Sequence, residues 1–274
     1  MRGPEKLLES ENHWETRMGG WFRNERVVYR GQDLHTDLMD MSWMELYLYG
    51  ITGRRFTEAQ LKVLNAMWVC TSYPDPRIWP NRVVALAGTA RSTGTLGISS
   101  GIAVSEATIY GGKAIIMATD FILNTRKRVE SGSDLSDIIN QELEKYRCVY
   151  GFGRPIIHTD ERRPYLVKLL ENVGMDQGPH FLLSIEIEKI LLKKKDNIYM
   201  NYGGLIAALA ADIGFTSRQF YLFISTMFIA GKLPCFIDSS EKHEGTFFPL
   251  RCSCVAYESD ITRRSWSSYK IAKY

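Results

Sequence analysis

Helix start and stop signals recur along this chain, and they constrain its fold more than any other feature. Two capping boxes, Ser42–Glu45 and Thr57–Gln60, pair a hydroxyl side chain with a Glu or Gln three residues later. Each box is typical of a helix N-terminus, because the two side chains satisfy backbone amides that the first helical turn leaves unpaired. Behind the second box, Leu61, Leu64 and Trp68 recur at helical spacing. These signals predict a mainly helical fold.

Periodicity and end signals predict further helices along the rest of the chain. The predicted segments are Arg82–Arg91, Leu96–Thr108, a helix capped by Ser133-Asp134 that carries the apolar stripe Leu135, Ile138, Ile139, Leu143 and Tyr146, Pro164–Gly174, Gly178–Lys195, Leu205–Ile213 and Ser217–Ala230. We expect the last helix to stop at Gly231, with Pro234 behind it. Between Thr71 and Pro80, three prolines predict a shaped loop. Strand patterns cover only Arg26–Tyr29 and, more weakly, Phe247–Tyr257, so the predicted fold class is all-α with minor β pieces.

Composition excludes several classes of protein. The 274 residues are 45% hydrophobic and 24% charged, which excludes a disordered chain, a collagen-like repeat and a disulfide scaffold. The formal net charge of +3, from 34 basic and 31 acidic residues, does not indicate a dedicated nucleic-acid binder. Five scattered cysteines predict reduced thiols, and the pair Cys252 and Cys254 has no second Cys or His pair at zinc spacing. We therefore expect no metal site.

The chain start and the hydropathy pattern bear on localisation. Residues 1–11 are charged and lack the apolar core of a secretory signal. The longest uncharged apolar stretches, Phe220–Gly231 and Tyr199–Ala211, are shorter than the roughly 18 residues that a membrane-spanning helix needs. We predict a cytoplasmic protein that contacts neither membrane nor nucleic acid.

Four short motifs occur in a specific order. Val28–Leu34 reads VYRGQDL, Tyr110–Gly112 reads YGG, Gly151–Arg162 reads GFGRPIIHTDER, and Asn201–Leu205 reads NYGGL before a helix that ends in DIGF. This ordered set resembles the citrate synthase superfamily, and especially its short citryl-CoA lyase-type members. At these places the family has YRGYDL, HGG, GFGHPxH…DPR and NxDGALAAxxxDLGF. The resemblance covers most of the chain.

The resemblance implies an all-helical, two-domain homodimer that closes over a cleft. The large domain would comprise residues 1–112 and 204–274, and the small domain residues 113–203. The Ala-, Gly- and Ser-rich segments 82–91 and 96–108 match those that pack across the family's dimer interface. Coenzyme A would lie along the glycine loop Tyr150, Gly151, Phe152 and Gly153, as a thioester substrate and not as a tightly bound cofactor. An acyl-CoA and a carboxylate-bearing small molecule are the implied ligands.

The family's three catalytic positions are all substituted in this chain. Tyr110 replaces the histidine of HGG, Arg154 replaces the histidine of GFGH, and Gly203 replaces the aspartate of NxDG. A phenol at Tyr110 can donate a hydrogen bond to an enolate oxygen. Arg154 can hold a carboxylate or an alkoxide, but it cannot shuttle a proton near neutral pH. Gly203 cannot act as a base, so removal of an α-proton in the family manner is lost.

The remaining candidate residues stand at substrate-binding positions of the family. Arg162 matches the arginine of DPR that grips a substrate carboxylate, and Asn201 and Gly203 lie in the substrate-binding turn. His158 is the lone histidine here, one residue away from the second histidine of GFGHPxH, and it is a third catalytic candidate. The upstream family histidine that binds the acceptor's carboxylates is missing, and its place falls near Ser72-Tyr73.

Four of these candidate residues also fit purely structural roles. Tyr110 also fits a core aromatic residue at a helix end, and Arg154 also fits an ordinary ion pair with Asp160 or Glu161. His158 also fits a hydrogen-bonded structural histidine, and Gly203 also fits a helix-entry glycine.

Two functions compete at this stage. The first is an enzyme that makes or breaks a carbon–carbon bond next to an acyl thioester, by decarboxylation of a malonyl-type donor or by retro-aldol cleavage, and does not make citrate. The second is a catalytically inactive dimer that binds an acyl-CoA, a carboxylate or a protein partner. A cleft lined by ordered, hydrogen-bonded polar side chains favours the enzyme, whereas a cleft filled by hydrophobic side chains favours binding.

Overall fold

The chain is mainly helical, in agreement with the predicted fold class. The computed structural model describes residues 3–108, 111–154, 159–195, 197–246, 254 and 258. The elements in chain order are α1 Pro4–Glu9, β1 Gly19–Phe22, β2 Arg26–Tyr29, β3 Gln32–Asp33, α2 Trp43–Thr52, α3 Glu58–Val69, α4 Trp79–Thr89, α5 Gly94–Val104, α6 Gly112–Glu130, α7 Leu135–Tyr146, α8 Arg163–Val173, α9 Pro179–Lys194, α10 Tyr202–Asp212, α11 Ser217–Ile224 and α12 Ile229–Ser240. Of the predicted strand Phe247–Tyr257, only Cys254 lies within the described residues.

Local hydrogen bonds start several helices where the sequence predicts them. Ser42 accepts a hydrogen bond from the Glu45 amide at 3.3 Å, and the Glu45 carboxylate accepts from the Ser42 amide at 2.8 Å. The Thr57 box forms in the same way, and a third box at Thr216 starts α11. These caps satisfy amides that would otherwise be unpaired, so the helices begin at defined residues.

The strands form one small antiparallel sheet near the start of the chain. β2 lies in the centre, with Gly19 opposite Tyr29 on one side and Val28 opposite Asp33 on the other. The predicted strand Arg26–Tyr29 is therefore confirmed.

The hydrophobic core is built around α10. Every residue from Gly204 to Ala211 is buried, and the helix packs against α6 and α9. No helix was predicted over residues 112–130, yet α6 is the longest in the described chain and contributes Ile115, Ala118 and Ile122 to this core. Helix α10 is buried on all sides, so its first turn is held in one position. The candidate site begins at this turn.

Helices α4, α5 and α12 form a second closely packed group. A side chain at Gly88 would lie 2.5 Å from Ser239 Oγ, and one at Gly101 would lie 2.4 Å from a methyl group of Val84. These small residues therefore allow close helix crossing within the chain. The homodimer implied by the same segments stays a prediction.

The predicted stop at Gly231 is wrong. Helix α11 ends at Ile224, and α12 runs from Ile229 to Ser240 with Gly231 and Pro234 inside it. Gly231 is needed because the backbone of the proline loop crosses there, and a side chain would lie 2.6 Å from the Tyr73 carbonyl oxygen. The packing of α12 on α4 and α5 offsets the helical hydrogen bond that Pro234 cannot donate. The helix therefore carries Lys232 into the interior.

The stretch Ser217–Ser240 meets the length and hydropathy criteria for a membrane-spanning helix, with a mean hydropathy of 1.7. The same stretch is divided between α11 and α12, which pack on α6 and α4 respectively. Core helices pass the same compositional test. The division into domains at residues 112 and 203 stays a prediction.

Candidate active site

The first turn of α10 and the glycine loop Tyr150–Gly153 are hydrogen-bonded to each other. Asn201 caps α10 by accepting from the Gly204 amide at 3.1 Å, and its Nδ2 donates to the Gly153 carbonyl at 2.9 Å. The backbone amide of Asn201 donates to the Gly151 carbonyl at 2.9 Å. A side chain at Gly204 would lie 2.2 Å from that same carbonyl oxygen. The loop and the helix entry thus form one rigid unit that requires glycine at the contact.

A buried ion pair lies beside this unit. Arg162 donates from Nε and Nη2 to the two oxygens of Asp160, at 2.8 and 2.7 Å, and Asp160 is 1% exposed. Asp160 also accepts from the Tyr202 amide at 2.9 Å. Burial opposes ionisation of Asp160, but the hydrogen bonds and charge of Arg162 outweigh it and hold the pKa of this carboxyl below its usual range. Asp160 therefore stays ionised and fixes the Arg162 fork.

Two aromatic rings lie close to the Arg162 guanidinium. Its central carbon lies 4.4 Å from the ring centroid of Tyr202 and 5.6 Å from that of Tyr73. These are cation–π distances. Within the described residues, Asp160 occupies Nε and one N–H of Nη2, which leaves the N–H groups of Nη1 to bind a ligand.

Arg154 forms the ion pair that is one of its two expected roles, and its catalytic role stays a prediction. Its Nη1 donates to Glu161 Oε2 at 2.7 Å and lies 3.8 Å from Asp160 Oδ2. Tyr73 donates its hydroxyl to the other oxygen of Glu161 at 3.1 Å. The charge of Arg154 is therefore compensated, and the pKa of Glu161 is lowered mainly by its hydrogen bond with Arg154.

A cavity of about 180 Å³ opens between α6, α10 and the α11–α12 turn. Polar groups come from Thr71, Arg162 and Asn201, and backbone is exposed at Gly111 and Gly203. The apolar lining consists of Ala114, Ile115, Ile206, Met227 and Phe228. The cavity thus combines a few polar groups with an apolar wall, as ligand sites usually do.

The structure brings together several of the predicted residues. Arg162, Asn201 and Gly203 line the cavity. The loop Tyr150–Gly153 is hydrogen-bonded to Asn201. The predicted catalytic residues Tyr110 and His158 lie outside the described residues.

Sequence reasoning missed three contributors to the site. Thr71 lines the cavity from the proline loop, Tyr202 stacks on Arg162, and Asp160 is the anchor of the Arg162 fork. The sequence signal for Asp160 is its position two residues before Arg162. Thr71 and Tyr202 had no local signal, because their contacts are made across the fold.

The described side chains do not provide a metal centre. In residues 3–108, 111–154, 159–195 and 197–246, with 254 and 258, no group of three His, Cys, Asp or Glu side chains could hold a metal ion.

Comparison with known proteins finds a matching family and solved structures with the same fold. The family described as citrate synthase, C-terminal domain, matches residues 16–237. The structure of citryl-CoA lyase from Hydrogenobacter thermophilus superposes with a TM-score of 0.78 at 20% identity, covering 92% of this chain and 97% of that one. A search of curated proteins gives no match.

Two other solved structures share the fold. ATP citrate lyase from Methanothrix soehngenii, in complex with citrate and coenzyme A, has a TM-score of 0.75 at 16% identity over 94% of this chain and 44% of that one. A ternary complex of carboxymethyl coenzyme A and oxaloacetate with citrate synthase from Thermoplasma acidophilum has a TM-score of 0.61 at 16% identity, over 83% and 58%. At these identities the likeness shows the all-α citrate synthase-like fold.

Proposed function

Because this chain belongs to the citrate synthase family, we propose that it forms or cleaves a carbon–carbon bond adjacent to an acyl thioester of coenzyme A. Support comes from relatives of the same fold that are described with citrate, oxaloacetate and coenzyme A ligands. The second ligand is a small molecule that bears a carboxylate.

The observation that carries the proposal is the Arg162 guanidinium at the wall of the cavity. Asp160 holds it in a bidentate pair, and Tyr202 stacks on it, so it is preorganised before any ligand arrives. A planar guanidinium suits a carboxylate, and an apolar wall around it strengthens their attraction by excluding water. A binding site for a carboxylate therefore lies beside Gly203.

The lack of a side chain at Gly203 limits the reaction. A thioester α-proton does not leave without a positioned base, and neither Gly203 nor the ion-paired Arg154 supplies one. Decarboxylation of a malonyl-type donor and retro-aldol cleavage both reach an enolate without removing an α-proton. We therefore propose one of these two routes and no synthesis of citrate.

A catalytically inactive binding protein is the second candidate. It is favoured by the pairing of Arg154 with Glu161, since that arginine is used structurally. The lining of the cavity is mixed, which favours neither candidate alone.

The test is a pair of assays on the unaltered protein. With acetyl-CoA in deuterated water, mass spectrometry should find no exchange of the methyl protons, and addition of oxaloacetate should yield no citrate. Citryl-CoA, other β-hydroxyacyl thioesters and malonyl-CoA are then tested for cleavage or decarboxylation. Rapid protein-dependent deuterium uptake would contradict the proposed routes, and calorimetric binding without any turnover would favour the inactive candidate.

Substitution of Gly203 sharpens this test. A side chain there would lie 3.1 Å from Asn201 Oδ1 and 3.7 Å from Ile115, so a small residue needs only slight adjustment. Gly203→Asp supplies a carboxylate at the family's base position, and Gly203→Asn is the matched neutral control. We expect methyl-proton exchange to appear in the Asp variant alone.

We also propose that the protein is a cytoplasmic homodimer. Leu86 on α4 and Leu96 on α5 are 37% and 61% exposed, which supports an apolar contact with a second copy. Sedimentation at micromolar concentration is expected to show a dimer, and a stable monomer would contradict it.

A further inference from the structure

Lys232 is fully buried in the first turns of α12. Its side chain is 0% exposed, and Nζ donates to Ser105 Oγ at 3.1 Å. Ser105 in turn donates to the Gly101 carbonyl at 2.8 Å. Within the described part of the chain, no carboxylate forms an ion pair with this amine. A buried lysine with a single hydroxyl partner is unusual, because uncompensated buried charge is costly.

The amine lies directly behind the wall of the cavity. Nζ is 5.7 Å from the ring centroid of Phe228, which lines the cavity. The backbone carbonyl of its partner Ser105 accepts a hydrogen bond from the Gly112 amide at 2.9 Å and lies against Gly111, which also lines the cavity. The Phe228 ring and the turn at Gly111 therefore separate the amine from the cavity. Phe228 precedes α12, outside the helix, and is only partly buried.

The surroundings favour the free amine. Burial alone lowers the pKa of Lys232 to about 8. Helix α5 carries no titratable side chain, α4 carries only Arg82, and Glu106, which follows Ser105, is hydrogen-bonded to Tyr221. On α12 itself, Asp238 is paired with Lys242 at 2.6 Å. A group with a pKa near working pH can both accept and donate a proton, which Arg154 cannot.

We propose that Lys232 is the proton-transfer group of this site, and that it reaches the substrate when the Phe228 ring turns aside. The proposal rests on the proposed function in its retro-aldol form. The neutral amine accepts the proton of the β-hydroxyl group of a β-hydroxyacyl thioester, the bond between the α- and β-carbons breaks, and its electron pair forms the thioester enolate. Water then protonates the enolate at its α-carbon, and the Lys232 ammonium releases its proton to solvent, so Lys232 acts on the β-hydroxyl group and not on the α-proton. The products are an acyl thioester and a carbonyl compound, and no oxidant or reductant is needed.

The experiment compares Lys232→Arg and Lys232→Met with the unaltered protein. Lys232→Arg keeps the charge but cannot release a proton, and Lys232→Met removes both. Cleavage of citryl-CoA and of simpler β-hydroxyacyl thioesters is followed by release of the acyl-CoA product. General acid–base catalysis predicts that kcat falls at least 100-fold in both variants while KM changes less than about threefold. In the unaltered protein kcat should fall below about pH 8, as the amine becomes protonated.

Lys62→Met is the control, since Lys62 is 57% exposed on α3 and should leave turnover unchanged. Circular dichroism checks folding, and if Lys232→Met does not fold, Lys232→Arg carries the comparison. Lys232→Arg activity within threefold of the unaltered protein would overturn the proposal, because a fixed charge would then suffice. Binding of the thioesters without cleavage would also overturn it while leaving ligand binding intact. Failure of the unaltered protein to bind any thioester would defeat the proposed function as well.

Discussion

Replacing Lys232 by Met should make the protein more stable at neutral pH. The lysine is fully buried with one hydroxyl partner, so its charged form is held in a low-dielectric environment without a counter-charge. Methionine has similar length and no charge, and it fits a core position of this kind. Ser105 keeps its hydrogen bond to the Gly101 carbonyl after the change, so no hydroxyl is left unsatisfied.

The size of the effect follows from the pKa of Lys232. A fall from the ordinary value of 10.5 to about 8 corresponds to about 3 kcal/mol against the folded state. Loss of the hydrogen bond to Ser105 offsets about 1 kcal/mol, which leaves a gain of about 2 kcal/mol at pH 7. Because the folded-state pKa is the lower one, the penalty is complete below pH 8 and fades as pH rises toward 10.5. The advantage of Met should therefore shrink by about 2 kcal/mol between pH 7 and pH 9.5.

Urea unfolding followed by far-ultraviolet circular dichroism at the two pH values measures this difference. Lys62→Met, on an exposed face of α3, should change the free energy of unfolding by less than about 0.5 kcal/mol at either pH. A Lys232→Met protein that is less stable than the parent at pH 7 would refute the reasoning. A gain that does not depend on pH would refute the part that concerns charge.

Three further predictions concern the site. Arg162→Lys should weaken binding of a carboxylate ligand by on the order of 2 kcal/mol in calorimetry, and equal affinity would exclude Arg162 as the anchor. Asp160→Asn should lower the free energy of unfolding by about 3 kcal/mol at pH 7, because it leaves a half-buried guanidinium without its counter-charge. Since the pKa of Asp160 is lowered, its contribution is lost as pH falls below about 4, and acid unfolding of the Asn variant should show a weaker pH dependence there. Gly204→Ala should cost about 2 kcal/mol because of the Gly151 carbonyl, whereas Gly20→Ala, with no atom nearer than 3.7 Å, should be nearly neutral in thermal unfolding.

Much of the secondary structure could be predicted because its signals are local. The Ser42 and Thr57 boxes each act within four residues, and both start helices as expected. The end of α11 could not be predicted in the same way. Glycine commonly ends helices, but Gly231 lies inside α12, where it lets the helix backbone pass close to the loop at Tyr73. Contacts with segments far along the chain overrode the local preference of Gly and Pro.

The candidate site shows the same division. Arg162, Asn201 and Gly203 could be selected by resemblance, and they line one cavity. The sequence permits two roles for Arg154, and the structure shows its ion pair with Glu161. Their ligand-binding roles stay predictions.

The sequence by itself determined that the chain is helical, where most of its helices begin, and which family pattern it carries with three altered positions. These properties depend on side-chain types and on hydrogen bonds within a few residues, so they can be read along the chain. Only the tertiary structure decided that Lys232 is buried, because Ser105 lies 127 residues away and meets it only where α5 and α12 cross. Burial then lowers the pKa of the amine, since desolvation depends on every neighbour that excludes water and not on the residues beside it in sequence.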